Sequence, residues 1–349
     1  MEEYRDLALV IAWPDQTARG DERWMALLKR AGIVKNLNFK VGHAAIVLVN
    51  RRTGLLAYYD FGRYVTPRGY GRARSAASDP RLVLSTRAQV TAEDAIENLA
   101  AILTELHQKE NATHGGGRLF FSIANGLSFG KAAQSAQALV DQGPIPYGAV
   151  ARGNNSCSRF VAQVLLAGWG TKNPAKRRVK FPESLKPSPM SNVVNASPDT
   201  MVYCYDQGTQ VSKRMSRWQS LRFQLDLLLH NLSATKAKKL PCDREPGNTA
   251  EPTRPATVPA RAQWLGGIGE GAWYALEAGV EIGTLLVTKY AVDGRVDYQV
   301  NCQTDCGIDP SLPYQFTYHC HYQRHVVIQH EQQFLLETCE RSESYIRTA

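Results

Sequence analysis

No stretch of the sequence is apolar for the roughly twenty residues that a membrane-crossing helix requires. The N-terminal "MEEYRDLALVIAWPDQ" (1–16) places acidic residues ahead of a short apolar run, so it has the layout of neither a signal peptide nor a span. It reads as a buried first strand, and the expected location is cytoplasmic. Cysteine is sparse: seven unevenly spread residues in 349 do not make a secreted disulfide framework. A reducing compartment fits, and there a thiol is free for chemistry. A phosphate-binding loop is also lacking, since "GGIGEG" (266–271) is followed by no GK[ST] and sits in no strand–helix unit. Acidic charge is short overall, leaving a formal net charge of +9. Residues 171–262 carry about +9 and residues 1–170 about +6, while the C-terminal part carries about −6. The basic "NPAKRRVK" (173–180) has no zinc-finger or helix-turn-helix frame, so it reads as a solvated loop. Nucleic acid is not an expected partner.

What is present alternates strand-like and helix-like segments. "LALVIAW" (7–13) is a strand, and "DERWMALLKRAG" (21–32) a helix closed by Gly32. "HAAIVLVNRRTGLLAYYDFGRY" (43–64) carries a hairpin signal with a short loop ending at Gly54. "TAEDAIENLAAILTELHQK" (91–109) predicts a helix capped by Thr91, with Ile96, Leu99, Leu103 and Leu106 at helical spacing. A strand over 117–125 follows, then helices over 129–143 and 155–168. Residues 181–199 read as loops rich in Pro and Ser, followed by the strand "MVYCY" and an amphipathic helix around 212–232. Residues 241–262, rich in Pro and polar residues, read as a linker to a smaller, mainly β domain over 263–349. No internal repeat is evident.

The chemistry centres on "GNNSCSRFVAQVLLAG" (153–168). Asn154 and Asn155 are suitable N-caps, and Phe160, Val161, Val164 and Leu165 form one apolar stripe. Cys157 then falls in the first turn, where the helix dipole favours a thiolate. A small buried core residue is the competing reading. A thiol nucleophile needs a base. His43 opens a strand just after Gly42; if the hairpin loop is Arg51–Gly54, residue 45 faces residue 60. Asp60 and Tyr58 then project on the side of His43, and Asp60 could orient its ring. His114 in "THGGGR" is the rival base.

These residues carry a resemblance. The order "GHAAIVLV", "YYDFG", "PYG", "NNSCSRFV" resembles circularly permuted NlpC-type papain-like proteins, including the YiiX-like branch. "SCSRFV" is similar to the "NCEHFV" pattern of the lecithin:retinol acyltransferase branch. "YYDFGRYVTPRGYGR", "THGGGR", "PIPYGA" and "WLGGIGEGAWY" also resemble a long bacterial family known mainly as a domain of unknown function. The resemblance implies an α+β fold in which an antiparallel sheet packs on the helix bearing Cys157. It further implies a permuted papain-like domain over 1–200, a strand and helix extension over 201–240, the linker and the small β domain. It implies Cys157 as nucleophile, His43 as base and Asp60 as orienting residue, with the Cys157 N–H in an oxyanion hole. The expected reaction is hydrolysis of an amide in a peptide or small molecule, with no cofactor. The alternatives are an acyltransferase or thioesterase, or a binding module on the same fold. Secreted relatives of the superfamily often cut peptidoglycan peptides.

Tyr147 and Asn155, beside the cysteine, and Tyr58 and Arg63, beside Asp60, are the expected substrate contacts. "FGRYVTPRGYGRARS" (61–75) gathers Arg63, Arg68, Arg72 and Arg74 in what reads as a loop over the cleft or an exposed basic loop. Cys302, Cys306, His319, Cys320, His321 and His325 include zinc-ligand types, but their spacing forms no paired knuckle, and half-buried strand residues are expected instead.

Overall fold

The computed structural model describes residues 4–21, 23–148, 153–243, 247–304 and 307–339. The chain is α+β, with an eight-stranded antiparallel sheet packed on helices and a mainly β C-terminal part. Across the first sheet the strands run Thr209–Arg214, Met201–Asp206, Leu119–Leu127, Asp6–Trp13, His43–Val49, Leu56–Gly62, Tyr70–Ser75 and Ile145–Pro146. Asp6–Trp13 lies near the middle with both faces covered, which is why it reads as a continuous apolar run. Leu7, Leu9, Ile11 and Trp13 share one layer with Ala45, Val47 and Tyr58. Ala8, Val10, Ala12, Ala44, Ile46 and Phe61 share the other.

Helices Phe129–Asp141, Cys157–Gly168 and Pro189–Ala196 cover the second layer, and Leu99–Gln108 contributes to the first. In Cys157–Gly168, Phe160, Val161, Val164 and Leu165 are fully buried, each contributing roughly 1.5–3 kcal/mol by removal from water. Pro189–Ala196 corrects the loop reading of 181–199, since every one of its residues is buried. Pro189 opens it behind a Ser188/Ser191 capping box, and its polar side chains find internal acceptors, such as Asn192 Nδ2 on Ser158 O at 2.8 Å. The helix over 91–109 is also shorter than expected. Thr91 Oγ1 accepts from the N–H groups of Glu93 and Ala95 in a turn, and the helix starts at Leu99.

Residues past 200 do not stand apart as an extension. Met201–Asp206 pairs with Leu119–Phe121, and Thr209–Arg214 forms the sheet edge, so the helix expected from 212 begins at Arg217. The expected linker is anchored at points along its described residues, 241–243 and 247–262. Asp243 accepts from Lys29 Nζ and the Leu37 N–H, both at 2.5 Å, and Val258 and Ala262 pack on Trp273.

The second sheet runs Gln263–Leu265, Ala272–Ala278, Leu285–Tyr290, Val296–Gln303, Gln332–Thr338, Arg324–Gln329 and Gln315–His321. The Gln263 side chain links its two edges, donating to Tyr314 O at 2.6 Å and accepting from the Phe316 N–H at 2.8 Å. The result is nearly a barrel, filled by Tyr274, Val287, Val300, Phe316 and Val327.

Gly42 sets the start of the histidine strand. Its φ is +76°, and a Cβ there would lie 3.0 Å from Pro14 Cα and 3.1 Å from Trp13 O. Both the left-handed backbone and the close approach exclude a side chain. Gly42→Ala is therefore expected to lower stability by at least about 1–2 kcal/mol, read as a fall in the urea midpoint.

Candidate active site

The hairpin pairs Ala45 with Asp60, the register expected from a four-residue loop closed by Gly54. Period two then puts His43, Asp60 and Tyr58 on the Trp13 face of the sheet. His43 is cross-strand from Trp13 and stacks on it, with centroids 5.8 Å apart and planes 13° apart. Cys157 belongs to the opposite layer, at the mouth of the helix packed under Ala44 and Ile46. The recorded pairing between the two hairpin strands ends at Ala45–Asp60. Beyond that point the Cys157 thiol lies close enough to His43 and to the Ala44 N–H for both to pull its pKa down. Cys157 and His43 thus approach from opposite faces and come together at the open end of the hairpin.

His43 Nε2 lies 3.4 Å from Asp60 Oδ2 and 3.4 Å from the Tyr64 hydroxyl. Nδ1 is therefore the ring nitrogen left for the thiol. Asp60, fully buried, receives Arg74 as a fork: Nε on Oδ1 at 3.1 Å and Nη2 on Oδ2 at 2.7 Å. The hydroxyls of Tyr64 and Tyr58 donate to Oδ2 at 2.7 and 3.1 Å. The Arg74 guanidinium also lies 3.4 Å from the centroid of the Tyr64 ring.

The electrostatics follow from this packing. Burial opposes a charge on Asp60, but Arg74 and His43 hold its carboxyl well below the usual carboxylate range. Burial likewise opposes a charged His43, yet the hydrogen bonds and charges of Asp60 and Cys157 push it up to about 9. Burial would raise the Cys157 thiol; His43, aided by Ser158 and the Ala44 N–H, brings it below its ordinary value. Both shifts run in the direction of a thiolate beside an imidazolium. Ser156 caps the helix, rather than Asn154 or Asn155, by accepting from the Arg159 N–H. Cys157 is then the first helical residue, and its N–H is among those without an intrahelical acceptor.

The other expected site residues divide. Tyr58 is buried behind Asp60 and braces it, so it is not a cleft wall. Asn155 is also buried; its Oδ1 accepts from the Ser156 N–H and its Nδ2 donates to Gln163. Its backbone brackets Tyr147, with the Asn155 N–H on Pro146 O at 2.8 Å and the Gly148 N–H on Asn155 O at 3.1 Å. Tyr147 stacks on Phe61 and carries the Arg63 guanidinium 4.8 Å from its ring centroid. A cavity of about 350 Å³ adjoins this turn, lined by Asn154, Asn155, Arg159, Gln163 and Gln142 among others.

The basic loop over 61–75 is corrected by its own strand. Tyr70–Ser75 pairs with the aspartate strand, placing Arg74 directly opposite Asp60. Arg72 is buried against the carbonyls of Cys320 and Tyr318, and Arg68 pairs with Asp21. His114 does not face the thiol; its ring packs on Tyr64, and Nε2 lies 3.5 Å from Glu270 Oε2. Tyr64 escaped the sequence reading, and Arg74 was grouped with the loop arginines rather than paired with Asp60, although alternate arginines on a strand beside a buried acid were a usable signal. Of the zinc-type residues, Cys306 lies outside the described residues. Among the described residues no three His, Cys, Asp or Glu side chains are grouped to hold a metal ion. His325 is buried on the Tyr298 hydroxyl at 2.9 Å.

Residues 8–173 match the family described as type VI secretion system effector TseH-like. This half of the chain is similar to those effectors. Residues 262–339 match the family described as the DUF6695 C-terminal domain. A solved structure, the crystal structure of the type VI secretion system effector TseH, aligns with 60% of this chain and 98% of its own. Identity is 18% and the TM-score 0.40. No curated protein matches the chain by sequence. No helix among the described residues is long and apolar enough to cross a membrane.

Removing Arg74 tests how the acid is held. Arg74→Met should cost about 3–5 kcal/mol at neutral pH because it leaves a buried carboxylate without its fork. The depressed acid contributes stability that is present above its unfolded value, about 3.9, and lost as pH falls through its folded value. The gap in urea midpoint between parent and variant should therefore narrow below about pH 4.

Proposed function

We propose that the chain is a cysteine hydrolase, built on a circularly permuted NlpC-type papain-like domain over about residues 1–200, that cleaves an amide bond through an acyl-enzyme. The observation that carries this reading is His43, held at Nε2 by buried Asp60 3.4 Å away, with Cys157 in the first turn of its helix and close enough for His43 to lower its thiol pKa. The chain order of histidine, acid and cysteine agrees with the permuted form.

In this reaction the Cys157 thiolate attacks the carbonyl carbon, and the oxyanion forms at the helix mouth near the Cys157 N–H. His43 as imidazolium gives its proton to the leaving nitrogen, so the C–N bond breaks and a thioester remains. His43, now neutral, takes a proton from water. The resulting hydroxide adds to the thioester, and the thiolate leaves with a carboxylate product. Asp60 keeps the ring oriented and stabilises its charged form. Tyr147 and Arg63 are the proposed contacts for the substrate on the side of the Tyr147–Asn155 bracket. The effector description of the matched family supports a protein made in the cytoplasm and handed to a secretion system.

The test is the pH dependence of Cys157 alkylation by iodoacetamide, read by peptide mass spectrometry in the parent and in His43→Ala. Labelling with an apparent pKa below about 7.5, slowed in the variant, is expected. Labelling no faster than a free thiol and indifferent to His43 would overturn the reading. Cys157→Ala should abolish turnover of peptide amides by the parent protein while leaving its melting temperature within a few degrees.

A further inference from the structure

The C-terminal β part meets the candidate site through its glycine-rich turn. Gly269 donates its N–H to Arg63 O at 2.6 Å, and at Gly267 a Cβ would lie 2.0 Å from Tyr64 O. No side chain fits between this turn and the backbone of Tyr64, whose hydroxyl holds Asp60. Glu270, in the same turn, pairs with Arg81 Nη2 at 3.0 Å, with Lys289 Nζ at 3.3 Å and with His114 Nε2 at 3.5 Å.

From Arg81 a chain of largely buried charges returns to the triad. Arg81 pairs with Asp79 at 2.7 Å, and Asp79 meets Arg74 at 3.4 Å. Arg74 holds Asp60, which holds His43. Asp297 closes the far end on Lys289 at 3.0 Å and on Arg81 at 3.4 Å. Four carboxylates thus alternate with three cations, with His43 facing one end and His114 facing Glu270. In such a row each side chain is oriented by its neighbours, and removing one leaves the next buried charge unmatched.

Resting on the catalytic reading above, we propose that the Gly266–Gly271 turn of the C-terminal part, with Glu270 as its charged member, is a positioning element for the Cys157–His43–Asp60 triad. It acts through Arg81, Asp79 and Arg74 on Asp60, and through the Arg63–Tyr64 backbone on the Tyr64 hydroxyl. Residues 263–339 are then part of the active-site structure. The "GGIGEG" glycines serve close approach to another backbone and no phosphate.

The experiment uses the full chain and the alkylation profile of Cys157. Glu270→Gln should slow labelling at pH 6.5 by about tenfold and move the profile upward by about one unit. Glu270→Asp, which keeps the charge on a shorter arm, should give an intermediate profile. Val327→Ala, in the core of the same sheet and on a strand that carries no member of the charge row, supplies a variant with lowered melting temperature and the parent's profile. If Glu270→Gln behaves like Val327→Ala, losing stability and keeping the profile, the proposal is overturned. Should Glu270→Gln not fold, Arg81→Lys, which keeps the charge and gives up the fork, is read in the same way. A parent whose Cys157 labels no faster than a free thiol defeats the catalytic reading itself, and with it this one; that result needs no C-terminal variant.

Discussion

A carboxylate with no exposure to water is tolerable only when its surroundings supply cations and donors in fixed directions. Asp60 is such a group, and much of the structure around it follows from that constraint. Arg74 answers it with a fork, and two tyrosine hydroxyls occupy Oδ2. Arg74 is itself buried, so it needs Asp79, and Asp79 draws in Arg81. Each step that satisfies one charge creates a demand one position further out. The demand ends in the C-terminal sheet, where Glu270, Lys289 and Asp297 close the row. A buried network of this kind is weak evidence for stability, since apolar packing could do as well. Its use lies in direction. Asp60 can present one oxygen toward His43 because its other interactions leave it nowhere else to turn.

The sheet divides the chemistry into two shells that are prepared separately. On one face Trp13, Asp60, Tyr58 and Tyr64 fix the ring of His43. On the other, the apolar stripe of Cys157–Gly168 presses the helix onto Ala44 and Ile46, so the thiol arrives at a set height along the strand. The buried helix Pro189–Ala196 steadies that first turn from behind through Asn192 on Ser158 O. Contact occurs only where the hairpin pairing has ended. The left-handed Gly42 matters for this reason, because it turns the chain immediately ahead of the strand that His43 opens.

How far the sequence disclosed this depends on the range of the interaction concerned. His43 and Asp60 were legible because a short loop ending at Gly54 fixes the register, and period two then assigns the face. Cys157 was legible from its place ahead of an apolar helical stripe. Arg72 and Arg74 read as part of a loop, over the cleft or exposed, because a buried arginine contradicts hydrophobic patterning until its partner is known. Arg74's partner is Asp60 on the next strand, Arg72's are carbonyls of Tyr318 and Cys320, and Glu270, further along the row, lies 189 residues from Arg81. Pro189–Ala196 was hidden for a related reason. Its serines and asparagines look like loop composition, and only tertiary acceptors make them core residues. The Thr91 cap failed locally, since the hydroxyl had a closer use in a turn.

The uneven charge along the chain gains a structural meaning from the same network. The first 170 residues are basic in sum and the C-terminal part acidic, and these signs meet where Arg81 faces Glu270 and Asp297. The contact is more than attraction between two surfaces. Arg72 caps carbonyls of Tyr318 and Cys320, and the Tyr322 N–H bonds Ser78 O, so backbone as well as charge is matched along 63–81. The strand and loop on which the C-terminal part sits also carry Tyr64, Arg74 and Asp79. An acid buried this completely cannot be held by its own hairpin alone, because the hairpin's second neighbour, Tyr70–Ser75, lies toward the edge of the sheet. Packing a nearly closed barrel against that region gives the otherwise weakly supported strand a rigid backing. The orientation of His43, on the far side of Asp60, then depends on both parts of the chain being folded at once.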